Sequence, residues 1–388
     1  MSWMPALVVL AACAGKPVEE KLVPVNPLSA APGAASSAAA RDSAGATTAR
    51  NVALALSAPA TDGSLRGKPT IGDFGLDLSA RNPQVKPGDD FFAYANGGWY
   101  DSFNIPADKS SFGPFDRLDE FSKERVRGII AKAAAAHAAP GTPEQQIGDY
   151  YAAYMNQEAI EANGLTPAEP DLQRIAAAGT RADIARLFGE PGFASLFDVQ
   201  LPPDFKNPDR YCIYITEATL GLPDRDYYLK DDPALKELRA KYVAYIAEML
   251  TFGGVPDSTA KAQAILAFET EAAKVQWPIE KRRDVDAIYN PRTKAQLLAY
   301  APGFAWQAFL DPQQLGARQQ VVLGELTAIR DLSALFGRTS VATLRDFLTF
   351  HYLSTHAPYL PRRFDEARFA FYGQAMRGQP QQRERWKR

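Results

Sequence analysis

From about Ile71 onward, apolar and polar positions alternate with a largely helical period; before that point they do not. Phe115, Leu118, Phe121, Val126, Ile129 and Ile130 recur at mainly helical spacing with charges between them. This predicts a helix over Phe115–Ala136, stopped by Pro140-Gly141. In the segment 232–252, Leu235, Leu238, Tyr242, Tyr245, Ile246 and Leu250 form one stripe. Further helices are expected at 142–162, 181–189, 257–276, 339–356 and 363–377. One region breaks the pattern. SLFDVQL (195–201) and RYCIYIT (210–216) favour strands and flank the turn-rich PPDFKNPD, which predicts a β-hairpin with a long loop. VVLG (321–324) reads as one more short strand. The expected fold class is mainly α: a large multi-helix lobe with a minor β-hairpin.

The folded body opens on PGDDFFAYANGGWY (87–100), with five aromatic residues between Phe91 and Tyr100. Asp89 and Asp90 can cap a short helix carrying Phe91, Phe92 and Tyr94, and Asn96-Gly97-Gly98 can end it. The aromatic cluster then reads as a core anchor that starts the domain. In GLPDRDYYL (221–229), Gly221 and Pro223 fix a turn leaving the hairpin, and Tyr227, Tyr228 and Leu229 plug it into the helical body.

Ahead of this body the chain has a different character. Residues 5–13 read PALVVLAAC, and Leu10-Ala11-Ala12-Cys13 has the form of a lipobox, in which small residues precede a cysteine that is lipidated after signal cleavage. The apolar run is short and MSWMP carries no Lys or Arg, so a chance cysteine after alanines is the competing reading. From Pro27 to Asp62 the chain is mostly Ala, Ser, Pro, Gly and Thr, too poor in bulky side chains to offset the entropy of ordering it. The expected organisation is a signal and lipobox at 1–13, a low-complexity linker at 14–70 and a helical domain at 71–388. Lipidation is expected at Cys13, with export to the periplasmic side and a lipid anchor in the membrane.

The 388 residues are 46% hydrophobic and 23% charged, ordinary for a globular protein. A formal net charge of −2 creates no field that would draw the whole chain to nucleic acid, and none is expected as a partner. Two cysteines, Cys13 and Cys212, do not make a disulfide framework.

Candidate chemistry is sparse. A helical zinc site of the H-E-x-x-H type needs two histidines at i and i+4, so that both rings share one face. The three histidines are His137, His351 and His356, and none precedes a glutamate. A spacing of five separates His351 from His356 by about 140° around a helix. They read as structural histidines rather than ligands. G-x-S-x-G and a phosphate-binding glycine loop are absent, and Cys212 lies in an apparent strand as a structural thiol. EKRRD (280–284) is either a salt-bridged turn or a substrate-contacting patch.

PGDDFFAYANGGW, followed by NIPADKSSFGPFDRL (104–118), resembles the N-terminal part of the M13, neprilysin-like zinc metallopeptidases. GLPDRDYYL, EKRRDVDAIYNPRT (280–293), APGFAW (301–306), FLTFHYLSTHAPYL (347–360), RFAFYG (368–373) and RGQPQQRERWKR (377–388) agree in the expected order. The resemblance implies two mostly helical lobes around a cavity, one bearing zinc and the other a cover that restricts substrates to peptides. In that family H-E-x-x-H, a downstream E-x-x-x-D and an N-A-x-Y/F motif lie in the C-terminal portion. H-E-x-x-H and N-A-x-Y/F do not occur here, and the one E-x-x-x-D pattern, EKRRD, follows no H-E-x-x-H, so no catalytic residue and no metal ligand carries over. Some members place an arginine near substrate where this chain has Ser110-Ser111-Phe112, and Ser111 and Phe112 are the substrate-facing candidates. The expected function is the cover-lobe portion of an exported M13-like metalloendopeptidase, inactive alone, with zinc a cofactor of the complete enzyme only. Its expected partners are peptide substrates and a zinc-bearing portion supplied in trans. The alternative is a non-catalytic periplasmic lipoprotein serving as a peptide-binding or interaction module.

Overall fold

A computed structural model describes residues 78–388. The signal, the lipobox with Cys13, the linker and the proposed boundary at residue 71 lie outside the described residues.

The first helix, α1 (Phe91–Ser102), starts where Asp90 accepts a hydrogen bond from Ala93 N at 2.9 Å. It does not end at Asn96-Gly97-Gly98 but runs through them. The glycines serve packing instead. A Cβ on Gly97 would lie 2.9 Å from Asn82 Cβ, and one on Gly98 would lie 2.8 Å from the Arg81 carbonyl. Absence of side chains lets the 80–82 segment lie directly on the helix, where Asn82 N donates to Tyr94 O.

Helix α2 (Pro114–Ala135) begins with proline at its first turn, and Asp116 accepts from Gly113 N at 2.9 Å. The single helix expected at 142–162 is two, α3 (Pro143–Met155) and α4 (Gln157–Asn163). Asn156 divides them, because its side chain accepts from Ala159 N and caps the second helix. Then come α5 (Glu169–Ala177) and α6 (Arg181–Phe188), the latter closed by a reciprocal Thr180–Asp183 cap.

The β region is larger than a hairpin. Strands β1 (Phe197–Gln200) and β4 (Tyr214–Glu217) pair antiparallel, with Val199 opposite Ile215. The loop between them folds back as a second ladder, β2 (Pro203–Asp204) with β3 (Asn207–Tyr211). After α7 (Asp226–Leu229), α8 (Pro233–Phe252) and α9 (Ser258–Val275) comes β5 (Asn290–Thr293). Helices α10 (Lys294–Tyr300) and α11 (Trp306–Leu310) lead to β6 (Gln320–Leu323). The sheet order is β1-β4-β6-β5, with β4 parallel to β6 and β5 antiparallel to it. The chain closes with α12 (Leu326–Arg338), α13 (Val341–His356) and α14 (Arg362–Arg368), followed by a π-helical turn at Phe369–Ala375.

The main core is assembled from residues between Ala168 and Phe371, where α6, α8, α9, α12 and α13 close over the sheet. Phe304 packs edge-on against Phe197, Trp306 and Phe336. Trp306 spends its indole N–H on Ala301 O at 2.9 Å. GLPDRDYYL docks as expected: Tyr228 is buried, accepts from Leu222 N at 2.7 Å and donates to Glu269 at 2.9 Å. Gly221 lies so close to Tyr242 that a Cβ would fall 1.6 Å from its hydroxyl.

The opening aromatic cluster is not a core anchor. Phe91 is 69% exposed, and Phe92 and Tyr100 are exposed as well. The close contact of α1 with the 80–82 segment is made through glycines, and Phe91, Phe92 and Tyr100 lie outside it.

Candidate functional site

The N-terminal helices meet the C-terminal segment of the chain at one polar junction. Lys109, only 4% exposed, places Nζ 2.8 Å from Glu120 and 3.7 Å from Asp116, both on α2. Lys387 reaches the other oxygen of Glu120 at 3.0 Å. Burial works to raise the Glu120 pKa, but hydrogen bonds from Lys109 and Lys387 outweigh it and hold the carboxyl below its usual value. The backbone joins in, with Gln381 N donating to Ala107 O and the Gln379 side chain to Asp108 O, each at 2.9 Å. Arg385 lies over the Tyr154 ring at 4.1 Å and donates to the carbonyls of Tyr154 and Pro358. Arg388 pairs with Asp365 on α14. The RERWKR segment is therefore a strap that fixes α2 and α3 to the last core helices.

Both substrate-facing candidates lie beside this junction. Ser111 is exposed on the loop before α2. Phe112 stacks on Phe103 at 4.6 Å, and Phe103 on Trp99 at 4.9 Å, so its ring belongs to a local aromatic column.

The helices so strapped present apolar side chains outward. On α2, Phe115 is 86% exposed, and Leu118, Val126 and Ile129 are exposed too. Their spacing of three, eight and three residues keeps them on one side of the helix. Ile147 and Tyr150 on α3 continue the exposed apolar set. Tyr150 lies 3.4 Å from the Tyr359 hydroxyl, and that hydrogen bond, with burial, pushes its phenol up to about 12. A groove of about 360 Å³ between Ile130, Ile147, Tyr150, Tyr154 and Trp386 runs through the same region.

Elsewhere, the candidate groups are occupied by structural partners. His351 Nε2 lies 2.6 Å from Glu269, a fully buried carboxylate that also receives Tyr228 and Tyr242. His356 Nδ1 lies 2.8 Å from Tyr352 O within its own helix, and His137 sits in a left-handed turn at φ 46°. Among the described residues no three His, Cys, Asp or Glu side chains gather as a metal requires. The described donor set therefore does not fit the zinc that the resemblance implies for the complete enzyme.

Within EKRRD, Arg282 is a salt-bridged latch. Arg282 Nε lies 3.0 Å from Glu325 and its NH1 lies 3.7 Å from Glu217. Glu325 in turn accepts from Glu217 N, and Glu217 from Trp277 N, each at 3.0 Å. Burial, with the charge of Glu325 second, pushes the Glu217 carboxyl up to about 7. Cys212 is half-buried, and desolvation raises its thiol pKa, which suits a structural thiol.

The sequence pattern of Peptidase family M13 matches residues 87–388, and the chain belongs to that family. Endothelin-converting enzyme 1 of Cavia porcellus is 28% identical over 305 residues, covering 75% of this chain and 40% of the relative. The Rattus norvegicus form is 29% identical over 306 residues with the same coverage. The crystal structure of Mycobacterium tuberculosis zinc metalloprotease Zmp1 with an inhibitor superposes with a TM-score of 0.76 at 32% identity, over 81% of this chain and 49% of that one. PepO from Lactobacillus rhamnosis shares the fold, with a TM-score of 0.65 at 19% identity, over 78% of this chain and 48% of that one. The chain thus spans about two fifths of the length of the curated relatives it matches. Among the described residues no helix is long and apolar enough to cross a membrane.

Proposed function

We infer that this chain is the cover-lobe portion of an exported M13 zinc metalloendopeptidase, which hydrolyses peptides once a zinc-bearing portion completes it. The observation that carries this reading is the exposed apolar set on the paired helices α2 and α3. Folded monomers rarely leave contiguous apolar surface of that kind uncovered, and it marks a docking site. The occupant is the zinc-bearing portion of the family architecture. In this reading the lobe supplies walls that limit access to peptides, Ser111 faces the substrate side, and alone it cleaves nothing. Cys13 anchors it by lipid on the periplasmic side of the membrane.

Light scattering after gel filtration tests the docking face. The purified chain is expected to self-associate and to bind an apolar dye. A Phe115→Ser, Ile129→Ser double variant, altered only at exposed positions, should become monodisperse with unchanged helicity. A wild-type chain that is already monomeric and dye-silent would favour the non-catalytic lipoprotein module instead.

A further inference from the structure

A second surface lies apart from the α2–α3 face and owes nothing to the cover-lobe reading. Between the β2–β3 ladder and the outer part of the main sheet runs an open cleft of about 780 Å³. Sites for small ligands and peptide side chains are of this size. It is lined by Cys212, Ile213 and Val322 and, from β3, by Arg210 and Tyr211. β5 adds Arg292 to the lining, and the segment before β6 adds Arg318.

The three arginines differ in how they are satisfied. Arg210 is committed: its Nε and NH2 both donate to Asp204 Oδ2, at 3.0 and 2.8 Å. Arg292 donates only to its neighbour, the Pro291 carbonyl, at 2.8 Å. Among the described residues no carboxylate lies within ion-pair distance of Arg292 or Arg318. Two guanidinium groups from separate segments thus line one cleft without a carboxylate of their own, while Asp204, the acid that also lines it, is bound by Arg210 and Tyr289. A guanidinium presents a planar fork of donors that matches a carboxylate in two-point fashion.

The rest of the lining specifies what carries that carboxylate. Gln296, Gln319 and Gln320 also line the cleft. Gln296 spends its oxygen on Thr293 N at 2.8 Å and Gln319 its amide on Ala317 O at 3.1 Å, which leaves the Gln296 amide N–H, the Gln319 oxygen and both ends of Gln320 for a peptide backbone. β5 is the outer strand of its sheet, so one row of its backbone groups has no strand partner. Tyr211, one of the most exposed aromatics at 77%, supplies a ring face at the rim. A nucleic-acid backbone would need closely spaced cations over its length, and here there are two isolated ones among amides. We propose that this cleft binds an extended acidic peptide segment, with Arg292 and Arg318 each receiving a side-chain carboxylate. The site is built wholly from residues 201–322.

The test uses the full chain and a fluorescein-labelled peptide of alternating glutamate and valine, followed by anisotropy. Saturable binding is expected, and a peptide with glutamine replacing every glutamate should bind at least about tenfold more weakly. Arg318→Ala changes an exposed side chain with no ion pair, so its melting temperature should match the parent while affinity falls about tenfold. Arg292→Ala should do the same, and Arg292→Lys should recover only part of the loss, since lysine lacks the fork. A readout independent of the label is the modification of Cys212, located by mass spectrometry, which bound acidic peptide should slow. Equal binding of the two peptides, unchanged affinity in Arg318→Ala, or no saturable binding would overturn the proposal. So would an oligothymidylate that binds more tightly than the acidic peptide and displaces it.

Discussion

Lys387 holds its ammonium 3.0 Å from Glu120 Oε2, while Lys109 holds the opposite oxygen at 2.8 Å. One carboxylate on α2 thereby joins the loop before the helix to the strap that ends the sequence. Because Glu120 has its pKa lowered in the folded state, it contributes stability above the usual glutamate range, and that contribution is lost as pH falls through the folded value. Acidification below the usual glutamate range is therefore expected to loosen the strap before the core. Protection factors against hydrogen exchange, corrected for the intrinsic rate, should fall in residues 378–388 at pH 3 while those in α8 and α9 stay high. Lys109→Met should bring the same release at neutral pH, at a cost of about 2 kcal/mol, because it leaves Glu120 half paired. Equal protection of the strap in Lys109→Met and the parent would contradict this role.

The Glu217 carboxyl gives a slope of the opposite sign. Its pKa is raised, so the folded state holds the proton more tightly than the unfolded chain. The resulting stability is fully present below the unfolded value and is lost as pH rises through about 7. A rise from 4.5 to about 7 corresponds to about 3 kcal/mol across that window. Glu217→Gln keeps an acceptor for Trp277 N but cannot ionise. Its melting temperature should be flatter than the parent's between pH 5 and 8, and higher at pH 8. Parallel melting curves for the two proteins would show that Arg282 neutralises the site fully.

Gly221 is a packing residue with no tolerance. A Cβ there would meet the Tyr242 hydroxyl, which donates to the buried Glu269 at 3.3 Å. Gly221→Ala is expected to lower stability by about 3 kcal/mol, through overpacking and a disturbed hydrogen bond. Urea denaturation measures it. A change below about 0.5 kcal/mol, the scale of a neutral surface substitution, would mean that the turn shifts freely.

Much of the helical body is legible because buried stripes repeat. The stripe in 232–252 becomes α8, with Tyr242, Tyr245, Ile246 and Leu250 buried. Segment 326–338 carries the same signal in Ile329, Leu332 and Phe336 and could have been read as α12. Strand β5 could not: NPRT has no strand propensity, and its place comes from pairing with β6. Periodicity also shows that a helix has an apolar face without showing what covers it. That is why the α2 stripe is a correct helix signal yet the aromatic cluster of α1 is not a core anchor. The Glu217–Glu325–Arg282 latch and the arginine cleft are invisible locally, since their members come from segments many residues apart and meet only after folding.

Peptidase activity of the purified 388-residue chain, assayed with added zinc and again with chelator, tests the cover-lobe account most directly. The account predicts no chelator-sensitive peptide cleavage and no zinc retained through dialysis. Stoichiometric zinc together with unaided cleavage would contradict it.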